Sequence, residues 1–307
     1  MQIKRRNFFK LAAVGAGSVV ISPRPTRAER KKAGDSFACL VDTSRCIGCR
    51  KCEQACNEIN NLPEPARRFD DLTVFDSARR PDARRFTVVN RYHSGRIDDA
   101  GLLVADYVKI QCMHCLDPSC ASACVTGALS KHDNGAVHYD VSKCIGCRYC
   151  MMACPFEIPA YEYHNPLTPR VMKCNFCEEQ FTRQHKAPAC AIICPTEAIT
   201  FGKRTTLLQL AKKRLAKYPA RYEQHIYGEH EAGGTAWLYL ARVPFKKLGF
   251  LTLPSNPLPR LSELIQHSLF SYLWSPALLF ALLGGIMYRN RAKNDSGEGH
   301  KQSGGVS

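Results

Sequence analysis

A chain of 307 residues, 45% hydrophobic and 23% charged, has room for one large domain or two small ones, which excludes a disordered tail, a fibrous repeat and a polytopic membrane protein. Its 43 lysines and arginines against 27 acids give a net +16, a surplus that elsewhere marks nucleic-acid or anionic-membrane binding. Seventeen cysteines are too few for a disulfide miniprotein and too regularly spaced for chance.

Residues 1–28 read as an export signal. Lys4-Arg5-Arg6-Asn7-Phe8-Phe9-Lys10 carries the pattern R-R-x-F-x-K. An apolar stretch from Leu11 to Ile21 follows, then Thr26-Arg27-Ala28 with small residues at the cleavage positions. That stretch is too short to span a bilayer. A twin-arginine signal implies export in the folded state, the route that a cofactor inserted in the cytoplasm requires. Residues 1–28 hold six basic residues and no acid, so a chain cut after Ala28 carries +10. No nucleic-acid-binding motif is present to use the remaining charge.

Phe37-Ala-Cys-Leu-Val predicts a short strand, with Cys39 as a buried structural thiol. Four cysteine blocks follow: Cys46-x2-Cys49-x2-Cys52-x3-Cys56, Cys112-x2-Cys115-x4-Cys120-x3-Cys124, Cys144-x2-Cys147-x2-Cys150-x3-Cys154-Pro155, and Cys174-x2-Cys177-x12-Cys190-x3-Cys194-Pro195. The first and third have the bacterial ferredoxin spacing for a [4Fe–4S] cluster, and the others are stretched versions. Thiolates at i, i+3 and i+6 of a tight loop can face one side of a cubane. The fourth ligand comes from elsewhere, because the chain cannot curl fully round it. Zinc sites use Cys-x2-Cys pairs and leave the third thiolate of a triplet unexplained. Sixteen cysteines at three-residue steps cannot all reach disulfide bonding geometry. Four [4Fe–4S] clusters account for 16 of the 17 cysteines.

The blocks repeat internally. Asp42-Thr-Ser-Arg-Cys-Ile-Gly-Cys-Arg-Lys-Cys returns as Asp140-Val-Ser-Lys-Cys-Ile-Gly-Cys-Arg-Tyr-Cys, and Cys124-Val-Thr-Gly-Ala-Leu-Ser echoes Cys194-Pro-Thr-Glu-Ala-Ile-Thr. An Asn134-Gly135 turn between the second and third blocks predicts a hairpin. The fold class expected is therefore α+β: duplicated dicluster ferredoxin-like domains with insertions, followed by one C-terminal transmembrane helix. The divisions are a signal at 1–28, a first ferredoxin-type block with insert at 29–104, a central dicluster unit at 105–165, the fourth block and its extension at 166–243, a Pro-rich tether at 244–267, the membrane helix at 268–288 and a cytoplasmic tail at 289–307. Strands are expected at Phe86-Thr-Val-Val and Tyr107-Val-Lys-Ile, an amphipathic helix over 204–217, and a turn at Gly233-Gly234 into a strand. Residues 268–288 are uncharged and end at Arg289, Arg291 and Lys293, which predicts a span with a cytoplasmic C-terminus. Arg50 and Arg148, each after a Cys-x2-Cys, are candidates for offsetting cluster charge. No P-loop, G-x-G-x-x-G, nucleophile elbow or zincin helix occurs, so no catalytic residue is assigned and the chain reads as a non-enzymatic component.

Gln111-Cys-Met-His-Cys-Leu-Asp-Pro-Ser-Cys, Gly146-Cys-Arg-Tyr-Cys-Met-Met-Ala-Cys-Pro and Lys173-Cys-Asn-Phe-Cys, in this order after the first block, resemble the four-cluster iron–sulfur subunits of bacterial respiratory oxidoreductases. The resemblance covers roughly residues 37–245 and is nearest to the HybA-type subunits of periplasmic membrane-bound nickel–iron hydrogenases, with Tyr227-Gly-Glu and Gly233-Gly-Thr also similar. It implies four ligand sets: Cys46, Cys49 and Cys52 with Cys194; Cys174, Cys177 and Cys190 with Cys56; Cys112, Cys115 and Cys120 with Cys154; and Cys144, Cys147 and Cys150 with Cys124. It further implies electron relay between the hydrogenase small and large subunits and a polytopic membrane quinone-reducing subunit, on the periplasmic side of the inner membrane in anaerobic respiration. Formate dehydrogenase, or another molybdenum oxidoreductase, is the alternative catalytic partner. A structural or assembly iron–sulfur protein is a third reading, disfavoured by the complete duplicated ligand set.

Overall fold

The computed structural model describes residues 36–97, 100–165, 170–259 and 274–298. The expected signal at 1–28 lies outside the described residues. β1 (Phe37–Asp42) is the centre of a three-stranded sheet, antiparallel to β8 (Ile199–Lys203) and parallel to β9 (Trp237–Leu240). A strand paired on both sides and covered on both faces needs a continuous apolar run, and Phe37-Ala-Cys-Leu-Val supplies it. Cys39 is fully buried there. Helix α6 (Arg204–Lys217) packs on this sheet through Leu207 and Ala211, with Leu208, Leu210 and Leu215 half-buried beside them. These are the positions that its apolar spacing picks out. Arg204, buried at its start, donates to the Thr235, Gly228 and Glu229 carbonyls and so ties the helix to the turn before β9.

The internal repeat is visible in three dimensions. In one unit β1 leads through a turn at Thr43–Arg45 into the first cysteine loop and helix α1 (Lys51–Ile59). α5 (Ala189–Ile192) and β8 complete it. In the other, β5 (Val137–Tyr139) leads through Val141–Lys143 into the third loop and α3 (Tyr149–Ala153), with α2 (Ser119–Ser122) and β4 (Leu129–Lys131) completing it. β4 pairs antiparallel with β5 as β8 does with β1. The entry turns match: the Asp42 carboxylate accepts from the Ser44 N–H and hydroxyl, and Asp140 does the same for Ser142. The Asn134-Gly135 turn forms as expected, and the Phe37 N–H bonds the Asn134 carbonyl, docking one unit on the other.

The insert holds a long antiparallel ribbon, β2 (Thr87–Ile97) with β3 (Leu103–Gln111), extending well beyond the short strands expected. β6 (Ala160–Tyr161) with β7 (Val171–Met172) and α4 (Glu178–Arg183) complete the body.

Two expectations are corrected. The described part of the Pro-rich stretch expected as a tether, residues 244–259, packs on the core: Phe245 and Leu248 are buried, the rings of Tyr227 and Phe250 lie 4.6 Å apart, and Ala232 N–H bonds the Pro254 carbonyl. Aromatic side chains between the prolines hold it down. The expected transmembrane helix is also not found among the described residues, where no helix is long and apolar enough to cross a membrane. Helix α7 (Trp274–Glu298) has only 15 uncharged residues, Trp274 to Tyr288, before Arg289. At 1.5 Å per residue they cover about 22 Å, short of the ~30 Å hydrocarbon core. The start of the expected span, residues 268–273, lies outside the described residues.

Candidate iron–sulfur centres

All seventeen cysteines are free. Each cysteine loop turns on residues held at positive φ: Gly48 and Arg50 in the first, Gly146 and Arg148 in the third. That backbone lets three thiols of a loop converge, after which α1 and α3 carry Cys56 and Cys154 away from their own triplets, the former on the last turn and the latter just past the end.

The thiols gather into four groups. Burial pushes Cys46 up to about 11, and the nearby Cys194 and Cys49 add to the shift. Cys52 is raised well above the ordinary thiol range by burial first, then by Cys46. Cys56 is raised by burial, then by Cys174, Cys190 and Cys177. Cys115 is raised by burial, then by Cys112, Cys154 and Cys120. Burial brings Cys150 to about 11, reinforced by Cys124, Cys144 and Cys147. Cysteines of each implied set thus influence one another, and some influence members of a neighbouring set. The groups also stand in series, because Cys52 feels Cys190, Cys174 feels Cys112, and Cys120 feels Cys150. The two inner groups hold six of the seven buried thiols among the sixteen, whereas the exposed thiols, Cys49 and Cys147, belong to the outer groups.

This donor chemistry fits iron–sulfur centres. Thiols ligate as thiolates, and where burial disfavours the bare anion, positive charge at the middle of a group would be needed to hold the thiolate form. The Cys124, Cys144, Cys147 and Cys150 group lines a pocket walled by Leu129, Tyr139 and Val171. Small donors finish the ends: Thr126 and Thr196 hydroxyls lie 3.7 Å from the Cys124 and Cys194 sulfurs, and the Ala198 N–H donates to Cys194 at 3.3 Å.

The arginines behave differently from expectation. Arg50 is buried, but its guanidinium is neutralised by Glu53 at 3.1 Å and donates to the Arg68 and Asp71 carbonyls. Glu53 also pairs with Arg79 at 2.7 Å and accepts from the Val89 N–H. This cluster clamps the insert onto α1. Arg148 is exposed and lies over the Tyr161 and Tyr163 rings.

The cations that do enter the cysteine region are lysines, which the sequence reading passed over. Lys109 is an electrostatic neighbour of Cys190, Cys52 and Cys174, and Lys173 of Cys120. Lys131 is pushed down to about 8 by burial, against the pull of Cys115 and Cys112. Lys109 and Lys173 stand three and one residues before a cysteine block, the only sequence signal they carry.

Comparison with known proteins gives a consistent set. The 4Fe-4S dicluster domain family matches residues 103–204. The chain is 34% identical to the hydrogenase-2 operon protein HybA of Shigella flexneri over 97% of its own length and 98% of that protein. It is 34% identical to the formate dehydrogenase-O iron-sulfur subunit of Escherichia coli, over 79% of this chain and 77% of that one. A protein of Nitratidesulfovibrio vulgaris is 53% identical over 70% of this chain, a match that spans 56% of that relative's length.

Proposed function

Since the chain belongs to the family of ferredoxin-type iron–sulfur proteins that includes HybA and the formate dehydrogenase iron–sulfur subunits, we propose that it is a non-catalytic electron-transfer subunit of an oxidoreductase complex. The observation that carries this reading is the series of four thiol groups with one exposed thiol at each end. Each group would hold one [4Fe–4S] cluster: Cys46, Cys49, Cys52 and Cys194; Cys56, Cys174, Cys177 and Cys190; Cys112, Cys115, Cys120 and Cys154; Cys124, Cys144, Cys147 and Cys150. A cluster bound there supplies reversible one-electron redox capacity without proton or atom transfer. The chain's own residues space the sites, exclude water from the two inner ones and set the surrounding charge.

The outer loops suit docking. Ile47 beside Cys49 is 59% exposed and Ile145 beside Cys147 is 70% exposed, apolar tips at the two points where electrons enter and leave. The catalytic partner is a nickel–iron hydrogenase, contacted through its small subunit, and the acceptor is an integral membrane subunit that reduces quinone. Support for the hydrogenase is the match to HybA across nearly the full length, against about four-fifths for the formate dehydrogenase subunit. The twin-arginine pattern at Arg5-Arg6 supports export of the loaded protein to the periplasmic side of the membrane.

The test is purification of the native complex in mild detergent, with metal analysis and assays of hydrogen-driven and formate-driven quinone reduction. Nickel and hydrogen activity are expected. Molybdenum with formate activity would replace the partner and leave the conduit intact. Zinc in place of iron and sulfide would overturn the conduit itself.

A further inference from the structure

We propose that Lys109 is a buried counter-charge shared by two neighbouring clusters, those of Cys46, Cys49, Cys52 and Cys194 and of Cys56, Cys174, Cys177 and Cys190, and that it holds their midpoint potentials up; this rests on the cluster reading above.

Lysine is almost never fully buried unless its charge is met, yet Lys109 is only 3% exposed. It projects from β3 into the core beneath β9. Its ammonium donates to Gln111 Oε1 at 2.8 Å and stands 4.4 Å from the centre of the Trp237 ring. The Gln111 amide is itself fixed, donating to the Tyr239 hydroxyl at 2.6 Å, and that hydroxyl donates back to the Lys109 carbonyl at 3.0 Å. This ring of neutral partners orients the ammonium without neutralising it. Among the described residues no carboxylate forms an ion pair with it.

The charge that faces it is sulfur. Burial works against the ammonium, but Cys190, Cys52 and Cys174 outweigh burial and hold Lys109 above its ordinary pKa. In space, Cys56, Cys174 and Cys190 share one buried cluster with the Trp237 and Tyr239 rings that hold the lysine, with Cys52 packed against it, and these cysteines belong to the two ligand groups. The foremost charged neighbours of Cys120 and Cys150, in the other two groups, are different: Lys173 and cysteines of those groups. Adding an electron makes a thiolate-bound cluster more negative, so a fixed cation in a poorly screened interior favours the reduced state. Lys109 is in this sense a positioning residue for charge. It binds no iron.

The experiment is a redox titration of the native complex followed by electron paramagnetic resonance, with iron and sulfide counted in parallel. Lys109→Met keeps the length of the stem and removes the charge. Gln111→Glu keeps the lysine and cancels its charge where it stands. Both are expected to retain wild-type iron, to move two of the four midpoint potentials downward and to leave the other two in place. Lys109→Arg is expected to restore them. Fully loaded Lys109→Met with four unchanged potentials would overturn the inference while leaving the conduit standing. Should Lys109→Met lose iron, unchanged potentials in Gln111→Glu would overturn it equally. A wild-type complex lacking these two clusters would remove the underlying cluster reading and this inference with it.

Discussion

The ring of Tyr107 lies against Gly48, so close that a Cβ at that glycine would stand 2.4 Å from two ring carbons. Gly48 also holds φ at +71°, in the left-handed region. Tyr107 cannot yield easily, since it is packed against Phe75 at 5.3 Å. Gly48→Ala is therefore expected to cost about 1–2 kcal/mol for the backbone alone, and more for the displaced ring. The equivalent Gly146 meets only the Tyr161 hydroxyl at 2.8 Å, the far end of a half-buried side chain. Gly146→Ala should be the milder of the pair. Denaturation midpoints and iron content of both variants check the order, and equal loss at the two positions would contradict it.

Glu53→Gln should be among the most damaging single changes outside the cysteines. It leaves Arg50 and Arg79 facing a neutral amide in the interior, where breaking one side of a buried ion pair costs about 3–5 kcal/mol. The expected outcome is a lower denaturation midpoint and proteolysis within residues 64–85, the segment that the Arg50 and Arg79 contacts hold down. An unchanged midpoint would show that this clamp contributes nothing net.

Cys147→Ser removes one ligand of an outer group. Loss of a single cluster signal is expected, with loss of quinone reduction. Reduction of an artificial dye by the catalytic partner should persist. Undiminished quinone reduction in a variant shown to lack that cluster would show that electrons do not pass through it.

Asp140 gives a pH dependence. Its carboxylate accepts from the Ser142 hydroxyl and N–H and pairs with Lys143, which holds it down to about 2. A depressed acid contributes stability that is present above the unfolded carboxylate pKa of ~3.9 and fades as pH falls through about 2. Asp140→Ala should therefore destabilise at neutral pH, with the difference from wild type shrinking in acid. A difference that persists below pH 2 would point to packing as the source.

Much of this was readable in the chain because the relevant information is local. Thiol spacing, the Asn134-Gly135 turn and the apolar positions of Arg204–Lys217 are each properties of a short window, and the structure reproduces them. Lys109 was not readable. In Tyr107-Val-Lys-Ile-Gln an alternating strand puts lysine on the expected solvent face, and it is buried only because Trp237 and Tyr239, some 130 residues later, lie over it. Arg50 failed in the opposite sense, since its partners come from an insert whose fold no periodicity announces. The apolar run at 268–288 met the length criterion for a membrane span, but among the described residues, which take up this run at Trp274, no helix is long and apolar enough to cross a membrane.

The series of thiol groups does not follow the order of synthesis. The two groups fed by the second and third blocks are complete once Cys154 has been made, whereas the first block stays without its distant ligand until Cys190 and Cys194 emerge. A ribosome pausing between them would present a chain with half of its sites closed and Cys46, Cys49, Cys52 and Cys56 still open to metal scavenging or oxidation. On these ligand sets the outermost group on the amino-terminal side would be the last to close, once Cys194 has emerged, and a chain truncated before Cys190 would retain the complete thiol sets of two centres rather than three.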